Sequence, residues 1–387
     1  IGGMETPVHN AFMLGAWYAF LKDKPRWIGA ACALGVLTRP DALIWAIPLL
    51  LHQFWIFFRS RSGGFLQRIP LQTWLVGLVL VMPWVIFSAL YFGTPIPHTV
   101  STKASVYTLE STQALVTLMQ HYAIPFQDQF TLGRVGVMIG IILYPALAAI
   151  GARWAFSRDY RALSMLLYPW IYFAVFAILN PLIFRWYLTP PLPAYFISIV
   201  CGVAALLQLL PERRGMLARG VLLAASIVTV LFTLNSWTLS PDHGANRPAP
   251  EMAFHELELN YADMARLLRR DYGVNEETIL AAGDIGALGF YSRAHIFDTI
   301  GLVTEGTVPY YTPEVMQRIV VDGSNYAIPP DLILDRQPEF VVVMEWFVRK
   351  GLLQDEDFLQ QYEQIHFIPT DYYGDGMIAY RRISDRN

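Results

Sequence analysis

The sequence predicts a polytopic α-helical membrane protein of about eight transmembrane helices with a C-terminal extracytoplasmic α/β domain. Three observations predict it. Residues 1–237 hold about eight long apolar segments, which in lipid satisfy their backbone polar groups only as helices. Arg and Lys fall in alternate loops between those segments. The remainder, 251–387, has the composition of a soluble domain, and 238–250 reads as a linker. Across all 387 residues, 55% are hydrophobic and only 15% charged, against about 25% charged in soluble proteins. A net charge of -3 argues for neither a nucleic-acid partner nor a polybasic membrane tether.

The segments in order are Pro7–Leu21, Trp27–Leu37, Ala42–Phe58, Leu71–Phe92, Val135–Phe156, Ala162–Leu179, Leu188–Leu210 and Gly220–Trp237. Crossing the hydrocarbon core takes about 20 residues, which most reach once their flanks are included. The second is too short and ends at Thr38-Arg39-Pro40-Asp41, which holds charge near the membrane. Lys22, Lys24 and Arg26 follow the first segment, and Arg59, Arg61 and Arg68 the third. Arg153, Arg158 and Arg161 follow the fifth, and Arg213, Arg214 and Arg219 the seventh. Alternation puts these four loops on one side, which the positive-inside rule makes cytoplasmic. The opposite face then receives Glu5, the Arg39–Asp41 turn, loop 93–132, the Phe184–Thr189 turn and everything after Trp237. The localisation predicted is a multi-pass plasma (inner) membrane protein with its C-terminal domain outside.

Within the long outer loop, Pro95 and Pro97 force an extended entry. Helical spacing through Leu115, Leu118 and Met119 suggests a piece lying along the membrane surface. Ser240–Pro250 is rich in Pro, Gly and Asn. Beyond it, Tyr261–Tyr272 has a helical pattern and Phe340–Met344 a β pattern. Ala281–Phe290 follows the β-like Ile279-Leu280, but its glycines 283, 286 and 289 miss the dinucleotide-loop spacing, so a tight turn into a packed helix is expected. Cys32 and Cys201 lie in apolar segments and read as packing residues. The chain opens on Ile1-Gly2-Gly3, without initiator Met or signal peptide, and is read as a fragment whose N-terminal part is missing.

The outer face collects Arg39, His98, Lys103 and Arg185, with Glu5 and Asp41 nearby. Arg binds phosphate oxygens with a planar fork, whereas Lys supplies a movable point charge. An enzyme using a lipid-phosphate donor needs such cations to stabilise the charge on the departing phosphate. The plainer alternatives are a salt bridge between Arg39 and Asp41 with Asp41 capping the next helix, a snorkelling Arg185, and a solvated loop carrying His98 and Lys103. Glu5 fits a first helical turn, with His9 four residues on along the same face. Reading that pair as metal ligands requires others that the sequence does not reveal.

Gly3-Met4-Glu5-Thr6-Pro7, Leu37-Thr38-Arg39-Pro40-Asp41, Tyr91-Phe92-Gly93-Thr94-Pro95-Ile96-Pro97-His98-Thr99 and Arg185-Trp186-Tyr187-Leu188 resemble polyprenyl-phosphate-sugar-dependent glycosyltransferases of the GT-C fold. The resemblance extends to bacterial members of mannosyltransferase or arabinofuranosyltransferase type. Ala282–Ala287 and Asp298–Leu302 are similar to the extracytoplasmic domain of such members. The resemblance implies sugar transfer from a polyprenyl-phosphate donor to a glycan, lipid or protein acceptor outside the cytoplasm, with membrane lipids as surroundings. It implies donor-phosphate contacts at Arg39, His98, Lys103, Arg185 and Tyr187, with Asp41 supporting. It also implies an acidic base in the first outer loop, expected upstream of Ile1, with Glu5 as the carboxylate in hand. The resemblance also allows a divalent metal ion as cofactor. The competing class is a non-enzymatic lipid or solute transporter, for which internal repeats are expected. Tyr310, Tyr311, Trp346 and Tyr372 suit either glycan binding or bracing by the outer domain.

Overall fold

The computed structural model describes residues 5–60, 69–95, 98–107, 110, 112–125, 129–211, 215–225, 227 and 252–383. The chain divides into two compact units: Ile1–Ile96 with Glu110–Leu231, and Pro97–Leu109 with Phe232–Asn387.

The first unit is helical. Helix α1 (Thr6–Leu21) starts with Pro7 in its first turn, where a missing N–H is harmless, and ends before the left-handed Asp23. Helix α2 (Pro25–Thr38) stops because Pro40 forces Arg39 into an extended conformation, φ -151° and ψ 128°. A one-turn 3₁₀ helix over Pro40–Ala42 leads into α3 (Leu43–Ser60). Helix α4 (Leu71–Phe92) ends at the left-handed Gly93. The second group comprises α6 (Gln113–Ala123), α7 (Gln129–Arg158), α8 (Leu163–Leu179), α9 (Arg185–Leu188), α10 (Leu192–Gln208) and α11 (Gly215–Ala225), while α5 (His98–Val106) belongs to the other unit. Helix α8 ends at the left-handed Asn180, whose amide accepts from Ala114 N at 2.9 Å and donates to Glu110 O at 2.8 Å. That clamp fixes the start of α6.

Four spans among the described residues have the length and apolarity to cross a membrane: Pro40–Ser60, Leu71–Phe92, Arg134–Arg158 and Tyr160–Leu179. The chain is therefore a membrane protein with fewer membrane-length helices than the eight segments read from hydropathy. The difference has a geometric cause. Helices α1 and α2 run 16 and 14 residues, reaching about 24 and 21 Å at 1.5 Å per residue, short of a core of about 30 Å. Helix α10 has 17 residues, and the eighth apolar segment is described only in part, through α11. Of the basic loop residues, Arg61, Arg68, Arg213 and Arg214 lie outside the described residues.

Helix α4 is inverted relative to a soluble helix. Its buried residues are Thr73 and Ser88, while Leu90 is 83% exposed. Polar groups face protein and apolar ones face outward, as lipid requires. Thr73 accepts from Gln53 Nε2 at 2.9 Å and donates to Pro25 O at 3.0 Å, tying α2, α3 and α4. The core gathers Trp17, Phe20, Trp45, Tyr168, Tyr172 and Tyr195. Helix α6 turns Ala114, Leu118 and Tyr122 inward and leaves Val116 and Met119 exposed. Cys32 and Cys201 are free thiols, the first buried.

The second unit is a five-stranded mixed sheet between helices. Strands β1 (Ile279–Ala282), β2 (His295–Asp298), β3 (Phe340–Met344), β4 (Tyr362–Pro369) and β5 (Gly376–Arg382) run in the order β2-β1-β3-β5-β4. β1 is parallel to β2 and β3, whereas β5 is antiparallel to β3 and β4. All five residues of β3 are buried, as a central strand covered on both faces demands. Leu280, Val342 and Met377 pack under α12 (Met252–Tyr272) and α13 (Gly286–Ser292). On the opposite face Ala281, Val341 and Ile378 join α14 (Pro313–Ile319), α15 (Pro330–Arg336) and α16 (Glu356–Gln361). Gly283 lies in the turn from β1 and Gly286 opens α13, the tight turn into a packed helix expected from the sequence.

Helix α5 packs into this sheet unit. Val106 is 0% exposed in the core that includes Tyr311, Ile328 and Val341. Thr102 Oγ1 donates to Gly301 O at 3.2 Å, and Tyr107 meets Tyr326 edge-on.

Candidate functional site

The extended Arg39 between α2 and the Pro40 turn points its guanidinium back under the start of α1. It is 4% exposed. Nε and Nη2 donate to Asp41 Oδ1 and Oδ2 at 2.9 and 2.8 Å, a bidentate fork. Nη1 donates to Glu5 Oε1 at 3.2 Å, Thr6 Oγ1 at 3.1 Å and Trp186 O at 3.3 Å. The Tyr187 ring lies 5.1 Å from the guanidinium carbon, within cation–π range. Tyr172 OH donates to Tyr187 O at 2.7 Å, so α8 holds the short α9 against this cluster.

The arrangement joins the ends of α1, α2, α3 and α9 through one cation and two carboxylates. Asp41 is mostly buried, with 13% of its side chain exposed, whereas Glu5 keeps 42%. Glu5 immediately precedes α1 and its carbonyl accepts from His9 N at 2.9 Å. His9, one turn deeper, is fully buried and its ring lies edge-on to Trp45. Chemically, the cluster offers an accessible carboxylate backed by a buried guanidinium.

Of the residues named from sequence, Glu5, Arg39, Asp41 and Tyr187 come together. Arg39 and Asp41 form the salt bridge that the plainer alternative anticipated. Arg185 opens α9, beside the Trp186 and Tyr187 of the cluster; its side chain lies outside the described residues. His98 and Lys103 lie on α5, in the sheet unit. Sequence reasoning missed Thr6, Tyr172 and the Trp186 carbonyl. Thr6 adjoins Glu5, which is its signal in the sequence; a backbone carbonyl acceptor leaves none. Among the described residues, no group of three or more His, Cys, Asp or Glu side chains is arranged to hold a metal ion.

In the sheet unit, Asp284 follows β1 and accepts from Tyr261 OH at 3.4 Å. Crowding by the surrounding protein pushes its carboxyl up to about 6, the Tyr261 hydrogen bond opposes the rise, and Glu258 and Asp298 add to it. Asp284 is nevertheless exposed to solvent, so water moderates the rise. Asp298 is buried and accepts from Ile300 N at 3.0 Å and Val303 N at 2.9 Å, which makes it the organiser of its loop. An open cleft of about 410 Å³ is lined by Glu256, Asn260, Thr370, Asp371 and Tyr372, and Asn260 Nδ2 donates to Tyr372 OH at 2.8 Å.

Residues 250–383, the greater part of the sheet unit, match a family model described as a domain of unknown function (DUF8728). No curated protein and no solved structure matches the chain.

Proposed function

We propose that the chain is a membrane glycosyltransferase of GT-C type, which moves a sugar from a polyprenyl-phosphate donor to an acceptor hydroxyl at the outer face of the membrane. The observation that carries this reading is the Glu5–Arg39–Asp41 cluster at the ends of apolar helices, with aromatic α9 against it. Charge placed near membrane depth is expensive and marks function by default. In this reading the helices alternate through the membrane with the basic loops cytoplasmic and the sheet unit outside.

The chemistry follows from the groups present. Glu5 takes the proton from the acceptor hydroxyl as the acceptor oxygen bonds to the anomeric carbon. The anomeric C–O bond to phosphate breaks, and the polyprenyl phosphate departs with the electron pair. Arg185, on the same short helix as Tyr187, stabilises that departing charge. Arg39 has its fork committed to Asp41, so its part is to hold Glu5 and the α9 backbone in place.

Transfer of labelled sugar by the reconstituted full-length protein tests the assignment. Arg185→Ala is expected to lose at least about tenfold in transfer rate, and Glu5→Gln about a hundredfold. Full activity in both variants would sink the site assignment. Donor translocation without transfer would favour the transporter reading.

A further inference from the structure

The unpartnered polar atoms of the helical unit are not scattered. Among the described residues, the ring nitrogens of His9 and His52, the indole N–H groups of Trp17 and Trp45, Ser164 Oγ and Tyr168 OH are buried without a hydrogen-bond partner. They lie on three helices only, α1, α3 and α8. Such groups are costly to leave bare, more so at membrane depth.

Helices α3 and α8 are antiparallel. Arg39, just before α3, stacks on Tyr187 beyond the far end of α8, while His52, late in α3, meets Tyr160 just before α8 at 6.4 Å. Helix α1 runs alongside both: Glu5 joins Arg39 at one end, and Leu21 O accepts from Arg161 Nη1 at 3.1 Å at the other. Each end of the seam is thus an ion-paired cluster, Glu5–Arg39–Asp41 at the first and Asp23–Arg161–Asp159 at the second. Between them the rings form two runs, one starting at His9 and one around His52. His9 to Trp45 is 6.1 Å, Trp45 to Trp17 is 6.2 Å and Trp17 to Tyr168 is 5.6 Å. Ser164 is one turn from Tyr168, and His52 lies 5.3 Å from Phe20 on α1. The charged groups facing the two imidazoles are Asp41, Arg39 and Glu5 for His9, and Asp159 for His52.

We propose that the α1–α3–α8 seam is a hydrated proton path joining the two ion-paired ends, with water held by the unpartnered atoms and the proton passed by His9 and His52. An imidazole accepts a proton on one ring nitrogen and releases one from the other, so the step forms and breaks only N–H and O–H bonds. Charge is balanced by counter-ion flow across the membrane. The proposal rests on the membrane reading of the helices and not on sugar transfer.

The test uses the full-length protein in vesicles containing a pH-sensitive dye, with a potassium-valinomycin potential and no sugar donor. Wild type is expected to move protons about tenfold faster than protein-free vesicles. His9→Asn and His52→Asn, which stay polar without carrying a proton, return the rate to near the protein-free value. His121→Gln, outside the seam and still able to bond Leu188 O, leaves it unchanged. Wild-type flux equal to that of protein-free vesicles overturns the proposal. So does wild-type flux in both Asn variants. If one variant fails to assemble, the other and the wild-type comparison decide. Transfer measured separately on the same vesicles distinguishes failure of the path from failure of the transferase reading.

Discussion

One buried guanidinium, that of Arg39, bridges Asp41, Glu5, Thr6 and a backbone carbonyl. Removing it strands a nearly buried carboxylate. Arg39→Ala is expected to destabilise the helical unit by about 3–5 kcal/mol, and Arg39→Lys by less, since Lys keeps the charge but loses the fork. Thermal unfolding in detergent checks both, and equal midpoints for Arg39→Ala and wild type would contradict the bridging role. Asp284 gives a pH prediction of the opposite sign to an ion-paired carboxylate. Its folded-state pKa stands at about 6 against 3.8, so the folded state is favoured below the lower value and loses that advantage as pH rises through 6. Asp284→Asn is therefore expected to stabilise the sheet unit at pH 8, on the order of 1 kcal/mol after allowing for its exposure to water, and to have little effect at pH 4. Unfolding of the full chain followed at both pH values reads this out. A gain of the same size at pH 4 and 8 would rule out the linkage.

Helix packing turns on small residues at particular crossings. A Cβ at Gly151 would collide with the Ser198 carbonyl, and one at Gly202 with the Leu147 carbonyl, so α7 and α10 approach backbone to backbone. Gly202→Ala is expected to cost about 1–3 kcal/mol, whereas Gly220→Ala meets nothing within 4 Å and is near neutral. Aggregation midpoints of the detergent-solubilised variants check the pair. Helix α5 makes a second prediction: Val106→Ala weakens the sheet unit by about 1–2 kcal/mol, measurable as faster hydrogen exchange at Ile328 and Val341. Exchange unchanged there would mean that α5 adds nothing to the sheet unit.

At this level much was legible in advance. Pro40 ends α2, Gly93 ends α4, and the β-branched run Phe340–Met344 forms the central strand. The placement of α5 was not legible. Its sequence, His98–Val106, is largely polar, and its bond to Gly301 spans 199 residues with no periodic signal to mark it. The lengths of α1 and α2 were legible, because the apolar segments Pro7–Leu21 and Trp27–Leu37 match these helices within two residues. In the site, the charged residues stood out because charge is rare in apolar sequence. Tyr172 did not, since a tyrosine among aromatic neighbours reads as packing.

The whole molecule combines membrane-length helices, an ion-paired cluster joining the ends of α1, α2, α3 and α9, and a sheet unit completed by the segment carrying α5. In the proposed orientation the loop charges put Lys22, Lys24 and Arg153 on the cytoplasmic side and Glu5 outside. The most direct test combines orientation with chemistry. Labelled polyprenyl-phosphate sugar is supplied only to the outer face of right-side-out vesicles containing the full-length protein, and product is followed on that face. The account predicts labelled product outside, reduced about a hundredfold by Glu5→Gln. No transfer by wild type from either face would contradict it.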